Sequence, residues 1–123
     1  MRYALLLYRA PDAPSRDEPE PDSEVYTDWV AYTRAVVKAG ALVAAEQLRP
    51  VDTATSVRHR GGERLLTDGP FIETKEHLLG FYLLDVPDLD AALDWAGKMP
   101  IVRYGTVEVR PVLEGRAWRA PLE

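Results

Sequence analysis

The densest chemistry in the 123-residue chain lies at residues 68–76, where Asp68-Gly69-Pro70 leads into Phe71, Ile72, Glu73, Thr74, Lys75 and Glu76. Asp-Gly-Pro is turn chemistry: the Asp side chain bonds the backbone of its own turn and the proline fixes a dihedral. Glu73, Lys75 and Glu76 then crowd three charges into four residues. A carboxylate at a cleft acts as general base or acid when burial or a like charge raises its pKa. Lys75 would steady negative charge beside it. The same residues also suit a tight turn with solvated charges, and both readings stay open. Phe71 is expected to plug the turn into the core. If Thr74 opens a helical turn, Glu73, Glu76 and His77 fall near one another.

Further candidates are scattered. Tyr8 ends an apolar segment, and its hydroxyl can reach a ligand or water. Glu46 closes another apolar segment, at a cleft mouth or at the exit to water. Arg103, Glu108 and Arg110 can line a sheet face, where they would suit an anionic, oxygen-rich molecule or pair across strands. His59 stands between Arg58 and Arg60. His77, beside Glu76, would have its charged form favoured by a nearby carboxylate. The chain contains no G-x-S-x-G, P-loop, G-x-G-x-x-G or H-E-x-x-H pattern. Nothing in it anchors a nucleotide or other cofactor, and two histidines with no cysteine give no metal signature.

Elements must hold these residues in place. Residues 2–9 read as a strand apolar on both faces, Tyr3, Leu5 and Leu7 against Ala4, Leu6 and Tyr8, which marks a central strand. Residues 10–22 hold four prolines and five acids and read as a loop, either a solvated connector or a flap over a site. Asp22 or Ser23 can cap a helix to about residue 39, with Tyr26, Trp29, Val30, Thr33, Val36 and Val37 as its stripe and Gly40 in the left-handed position beyond it. Residues 41–48 form a strand. Residues 53–59 and 63–67 form a hairpin joined at Gly61-Gly62, and 80–86 form another strand. Pro87-Asp88 starts a helix with Leu89, Ala92, Leu93, Ala96 and Met99 inward, stopped by Pro100. Residues 106–113 close the chain as a strand, before a tail at 116–123 that carries Trp118.

This order predicts an α+β domain over residues 1–115 with a ferredoxin-like split βαβ plan and an extra hairpin. The sheet is mostly antiparallel, with two helices on one face. The other face then carries uncovered apolar side chains, and a second copy packing sheet to sheet would cover it. A homodimer is therefore expected.

Composition bounds the partners. The net charge is −5, with 46% hydrophobic residues, and there is no basic stripe for nucleic acid. The apolar run at residues 4–7, flanked by Arg2 and Arg9, is too short for a signal peptide or membrane span. The expectations are a cytoplasmic location, no membrane, and a possible small-molecule ligand.

The string T-D-G-P-F-I-E-T-K-E resembles the signature of the DGPF, or YCII-related, family. Residues 83–90 with Ala92, Trp95 and Ala96, residues 105–112 and residues 54–58 are similar to its strand-to-helix passage, closing strand and hairpin. The resemblance implies a dimeric α/β barrel and marks Asp68, Glu73, Lys75 and Glu76 as motif residues. Related proteins include small enzymes such as a dehydrochlorinase, and some are thought to use a His–Asp pair. Here Tyr104 stands where the family often has His, and His77 where it often has Gln. The expected enzyme is thus a cofactor-independent isomerase, lyase or dehydrohalogenase. Asp68 or Glu73 would be its base, Lys75 its anion stabiliser, and Tyr8, Glu46, Phe71, Glu76, His77 and Arg110 its substrate contacts. The alternatives are a non-catalytic ligand- or partner-binding dimer linked to transcriptional regulation, and a segment 68–76 that only latches the fold.

Overall fold

The computed structural model describes residues 1–10, 24–72 and 75–114. Most of the 10–22 loop, the Asp22/Ser23 cap, Glu73, Thr74 and the tail with Trp118 lie outside the described residues.

Among the described residues, six strands and two helices follow one another as β1 (Arg2–Arg9), α1 (Glu24–Lys38), β2 (Leu42–Gln47), β3 (Thr55–Arg60), β4 (Glu63–Asp68), β5 (His77–Asp85), α2 (Leu89–Gly97) and β6 (Gly105–Pro111). Short 3-10 turns occupy Val51–Thr53 and Pro100–Arg103. Four strands form an antiparallel sheet in the order β2-β5-β1-β6, and β3 and β4 form a separate two-stranded sheet. This is the ferredoxin-like arrangement, with the hairpin inserted between β2 and β5. The doubly apolar strands β1 and β5 take the two central positions, where no edge is offered to solvent.

Local chemistry fixes the ends. Gly40 (φ 73) follows α1, and Gly61 and Gly62 (φ 60 and 81) turn the hairpin, all in the left-handed region that glycine enters without cost from a Cβ. The Asp88 carboxylate accepts from the Ala91 amide at 2.9 Å and caps α2. That helix stops at Gly97, earlier than its apolar stripe suggests, and Met99 is buried beyond it.

Tyr3, Leu5 and Leu7 of β1 face the helices and meet Leu84, Tyr32, Val36, Ala92, Ala96, Met99 and Ile101 in the core. Leu5, Leu84 and Val36 are wholly buried, and each such side chain contributes about 1.5–3 kcal/mol relative to exposure. The stripe of α1 is rotated from expectation. Tyr32 and Val36 are its buried residues, while Tyr26 and Val37 are exposed. The cause is aromatic packing. Tyr32 lies edge-on to Trp29, Tyr82 and Trp95, at centroid distances of 6.1, 5.5 and 6.1 Å, and this cluster turns the Tyr32 side of the helix toward the sheet.

Strand β5 begins at His77 rather than at residue 80. A bulge between Leu7 and Tyr8 lets the extra residue in, so the pairing continues through Tyr8–Leu78 to Arg9–His77. His77 is thereby a strand residue and not part of a helical turn. Phe71 does not enter the core: it is 62% exposed, because the hairpin sheet it follows has no core beneath it among the described residues.

Candidate functional site

The sheet face turned away from the helices is built by alternation. Register places Glu46 opposite Phe81, Phe81 opposite Leu6, and Leu6 opposite Glu108. One row thus crosses the sheet with carboxylates at both ends and an apolar pair between. The next row is Ala44, Leu83, Ala4 and Arg110, and on the other side Leu78, Tyr8 and Thr106 align. Neither α1 nor α2 covers these side chains.

Polar groups collect along β6. The Tyr8 phenol bonds to the Glu108 carboxylate, and its pKa is raised, first by burial and then by the charge and hydrogen bond of Glu108. Arg110 Nε donates to Glu108 Oε2 at 2.8 Å, and this ion pair pushes the Arg110 pKa up further. Thr106 Oγ1 donates to Glu76 Oε1 at 3.3 Å. The result is a line of phenol, carboxylate and guanidinium beside an apolar floor of Leu6, Phe81 and Leu83.

Two glycines, both on the helix-facing side by register, let neighbouring strands approach closely. A Cβ on Gly80 would collide with the Glu46 carbonyl oxygen, and one on Gly105 with the Tyr8 carbonyl oxygen and the Ile101 side chain. The strands carrying Glu46 and Tyr8 can sit this near only because those positions lack side chains.

The expected site residues divide. Tyr8, Glu76 and Arg110 come together, and Glu46 shares their face at the opposite sheet edge. His77 pairs with Arg9, one residue on from Tyr8 and therefore on the other face. Asp68 ends β4 opposite Thr55, exposed, while Gly69 donates to the Ala54 carbonyl at 2.7 Å and accepts from Ser56 Oγ at 2.7 Å. Lys75 is exposed, and the Arg58 guanidinium lies 4.4 Å from the Phe71 ring centroid. Within one chain the described part of the 68–76 segment belongs mainly to the hairpin, and only Glu76 reaches the Tyr8 line. Arg103 leaves the open face as well, since it binds Asp28 of α1 at 2.8 Å.

Sequence reasoning underweighted Glu108 and passed over Thr106. The signal was present, because Thr106, Glu108 and Arg110 alternate along β6 with Val107 and Val109. Arg9 was also missed: it lies over the Tyr104 ring at 5.2 Å, and its Nε is buried with no acceptor among the described residues. Among those residues no three His, Asp or Glu side chains group as a metal set, and no helix is long and apolar enough to cross a membrane.

The model of the YCII-related domain matches residues 1–116. The chain belongs to the YCII-related family. It is also similar to an uncharacterized protein of Rhizobium meliloti (strain 1021), 43% identical over 114 residues, which cover 91% of this chain and 92% of that protein. In this YCII-related chain the phenol–carboxylate–guanidinium line lies on the first and last strands of the matched region. Its parts are therefore positioned by the fold itself, not by an appended loop.

Proposed function

We propose that this YCII-related protein is a homodimeric, cofactor-independent enzyme that moves protons on a small oxygenated compound, in an isomerisation or an elimination. The observation that carries the reading is the Tyr8–Glu108–Arg110 line on an apolar sheet face that neither described helix covers. Glu108 takes the role of general base, the Tyr8 phenol that of proton donor, and Arg110 steadies an enolate-like or carboxylate oxygen. A carboxylate is a weak base in water. Covering the face with a second copy would exclude water from the reacting groups and strengthen the electrostatic interactions between them. Asp68 and Lys75 belong to this proposal as further charged groups of the 68–76 segment, and Glu73 belongs to it as a residue of the same sequence motif.

The test starts with a thermal-shift screen of enolisable lactones, hydroxyaromatic compounds and their halogenated forms. Compounds that raise the melting temperature are then incubated in D2O and followed by NMR. Solvent deuterium entering the ligand, or a new product, is expected with the native protein and is lost in Glu108→Gln. Ligands that stabilise the protein yet are recovered unchanged and undeuterated would instead establish a binding protein without turnover.

A further inference from the structure

Among the described residues Arg9 alone has a buried side-chain polar atom without a hydrogen-bond partner: its Nε is closed off from solvent and meets no acceptor. Buried polar groups are nearly always satisfied, and a charged donor most of all, so an orphaned guanidinium nitrogen points to a bound group. Alternation along β1 turns Arg9 to the helix side of the sheet, away from the face that carries Tyr8. Gly105, its partner on β6, confirms the side, because a Cβ there would meet Ile101 of the core.

The surroundings of Arg9 hold a cation and offer donors. Its guanidinium lies over the Tyr104 ring, 5.2 Å from the centroid, and the ring attracts the charge without giving Nε an acceptor. On the other side stands His77 of β5, directly opposite Arg9 in register and therefore about 5 Å away at Cβ. The described carboxylates in the neighbourhood are turned elsewhere. Asp28 binds Arg103 Nη2 at 2.8 Å, and Glu76 accepts from Thr106 Oγ1 of the open face at 3.3 Å.

We infer that Arg9 is an anion-binding residue, taking the carboxylate of a small organic acid at the end of β1 on the helix side of the sheet. The Nε–H and one Nη–H of a guanidinium form a planar fork, which a carboxylate fills with two parallel hydrogen bonds. His77 donates a further bond from across the strand pair. The Tyr104 ring, 42% exposed, gives the body of the acid an apolar wall. This site is distinct from the Tyr8–Glu108–Arg110 line, since Tyr8 and Arg9 are adjacent in the strand and point to opposite faces. It does not depend on that line being catalytic. The rival occupant is a carboxylate of the same chain, from the five acids between residues 11 and 22, which lie outside the described residues.

Arginine Nε–H groups give their own signals in a proton–nitrogen NMR spectrum. The Arg9 signal is the one lost in Arg9→Lys, and side-chain correlations from its backbone amide assign it in the native protein without any variant. Sodium benzoate is titrated in against chloride at constant ionic strength. The Arg9 Nε–H signal should move downfield and saturate. Arg110→Gln, which removes the guanidinium of the open face, should leave that response unchanged. Calorimetry in the Arg110→Gln background then compares two further substitutions. Arg9→Lys keeps the charge but loses the fork, and should weaken benzoate binding at least about tenfold. His77→Gln should weaken it about two- to fivefold. A native Arg9 signal that benzoate does not move overturns the inference, and is the result expected if a carboxylate of the same chain already holds the fork. A response that vanishes in Arg110→Gln overturns it as well. Inorganic phosphate that moves the signal at lower concentration than benzoate would overturn the assignment to a carboxylate. None of these readings needs turnover, so their failure leaves the reading of the Tyr8 line untouched.

Discussion

Glu46 and Glu108 stand at the two ends of one cross-strand row, with Phe81 and Leu6 between them. Three inter-strand steps separate them, roughly 14 Å at ordinary strand spacing. The two carboxylates therefore do not share a proton and are free to take different roles. Glu108, bonded to Tyr8 and Arg110, is the one prepared for chemistry, and Glu46 marks the rim.

Substitutions should separate these roles. Glu108→Gln and Tyr8→Phe are expected to lower turnover at least about a hundredfold, the usual scale for losing a general acid or base, while Glu46→Gln mainly weakens binding. Asp68→Asn should behave like Glu108→Gln if the 68–76 segment contributes to the site. If it only lowers the melting temperature, the 68–76 segment is a latch. Steady-state kinetics on a compound found by deuterium exchange, beside thermal melts, checks all four.

The core prediction concerns Leu84, which is wholly buried in the cluster that holds Leu5 and Val36. Leu84→Ala should cost about 2–5 kcal/mol, as such truncations leave a cavity that neighbours fill only partly. Urea titration of native and variant protein measures it.

Alkaline pH should unfold the protein through its tyrosines. Tyr32 and Tyr82 both have raised pKa values, chiefly from burial, and the Tyr32 hydroxyl donates to the Trp95 carbonyl at 2.9 Å. Above about pH 10 the unfolded chain loses these protons while the folded one keeps them. Their contribution is thus complete below about pH 10 and disappears as pH rises through the folded values. Melting temperature should fall from about pH 10 upward, and less steeply in Tyr82→Phe. An equal slope in that variant would remove Tyr82 from the account.

Gly105→Ala should disturb the site from a distance. The added methyl meets the Tyr8 carbonyl oxygen and Ile101, and overpacking of this kind typically costs about 1–3 kcal/mol. Because β1 must shift to make room, ligand-induced stabilisation should weaken as well. Gly97→Ala, which meets nothing, is the control.

Much of this architecture was legible in the residues. Alternation in β1 and β6, the turn glycines at 40, 61 and 62, and the Asp88 cap are local signals, and the structure repeats them. Phe71 was misjudged because a large aromatic after a turn normally finds a core, and only the tertiary arrangement reveals that its hairpin has none among the described residues. The start of β5 was misjudged because a bulge is invisible in a strict two-residue period. The Tyr8–Glu108–Arg110 line was missed as a unit because its first and later members stand far apart in sequence, joined through a pairing that no short window contains.

That same pairing governs how the chain is made. Among the described strands β1 bonds to β5 and β6 alone, so Tyr3 waits for Leu84 and Pro111 to be synthesised. A strongly apolar strand leaves the ribosome before either of its partners. Folding must close its longest loops before the sheet exists, which slows it and leaves β1 open to unwanted pairing or chaperone capture throughout synthesis.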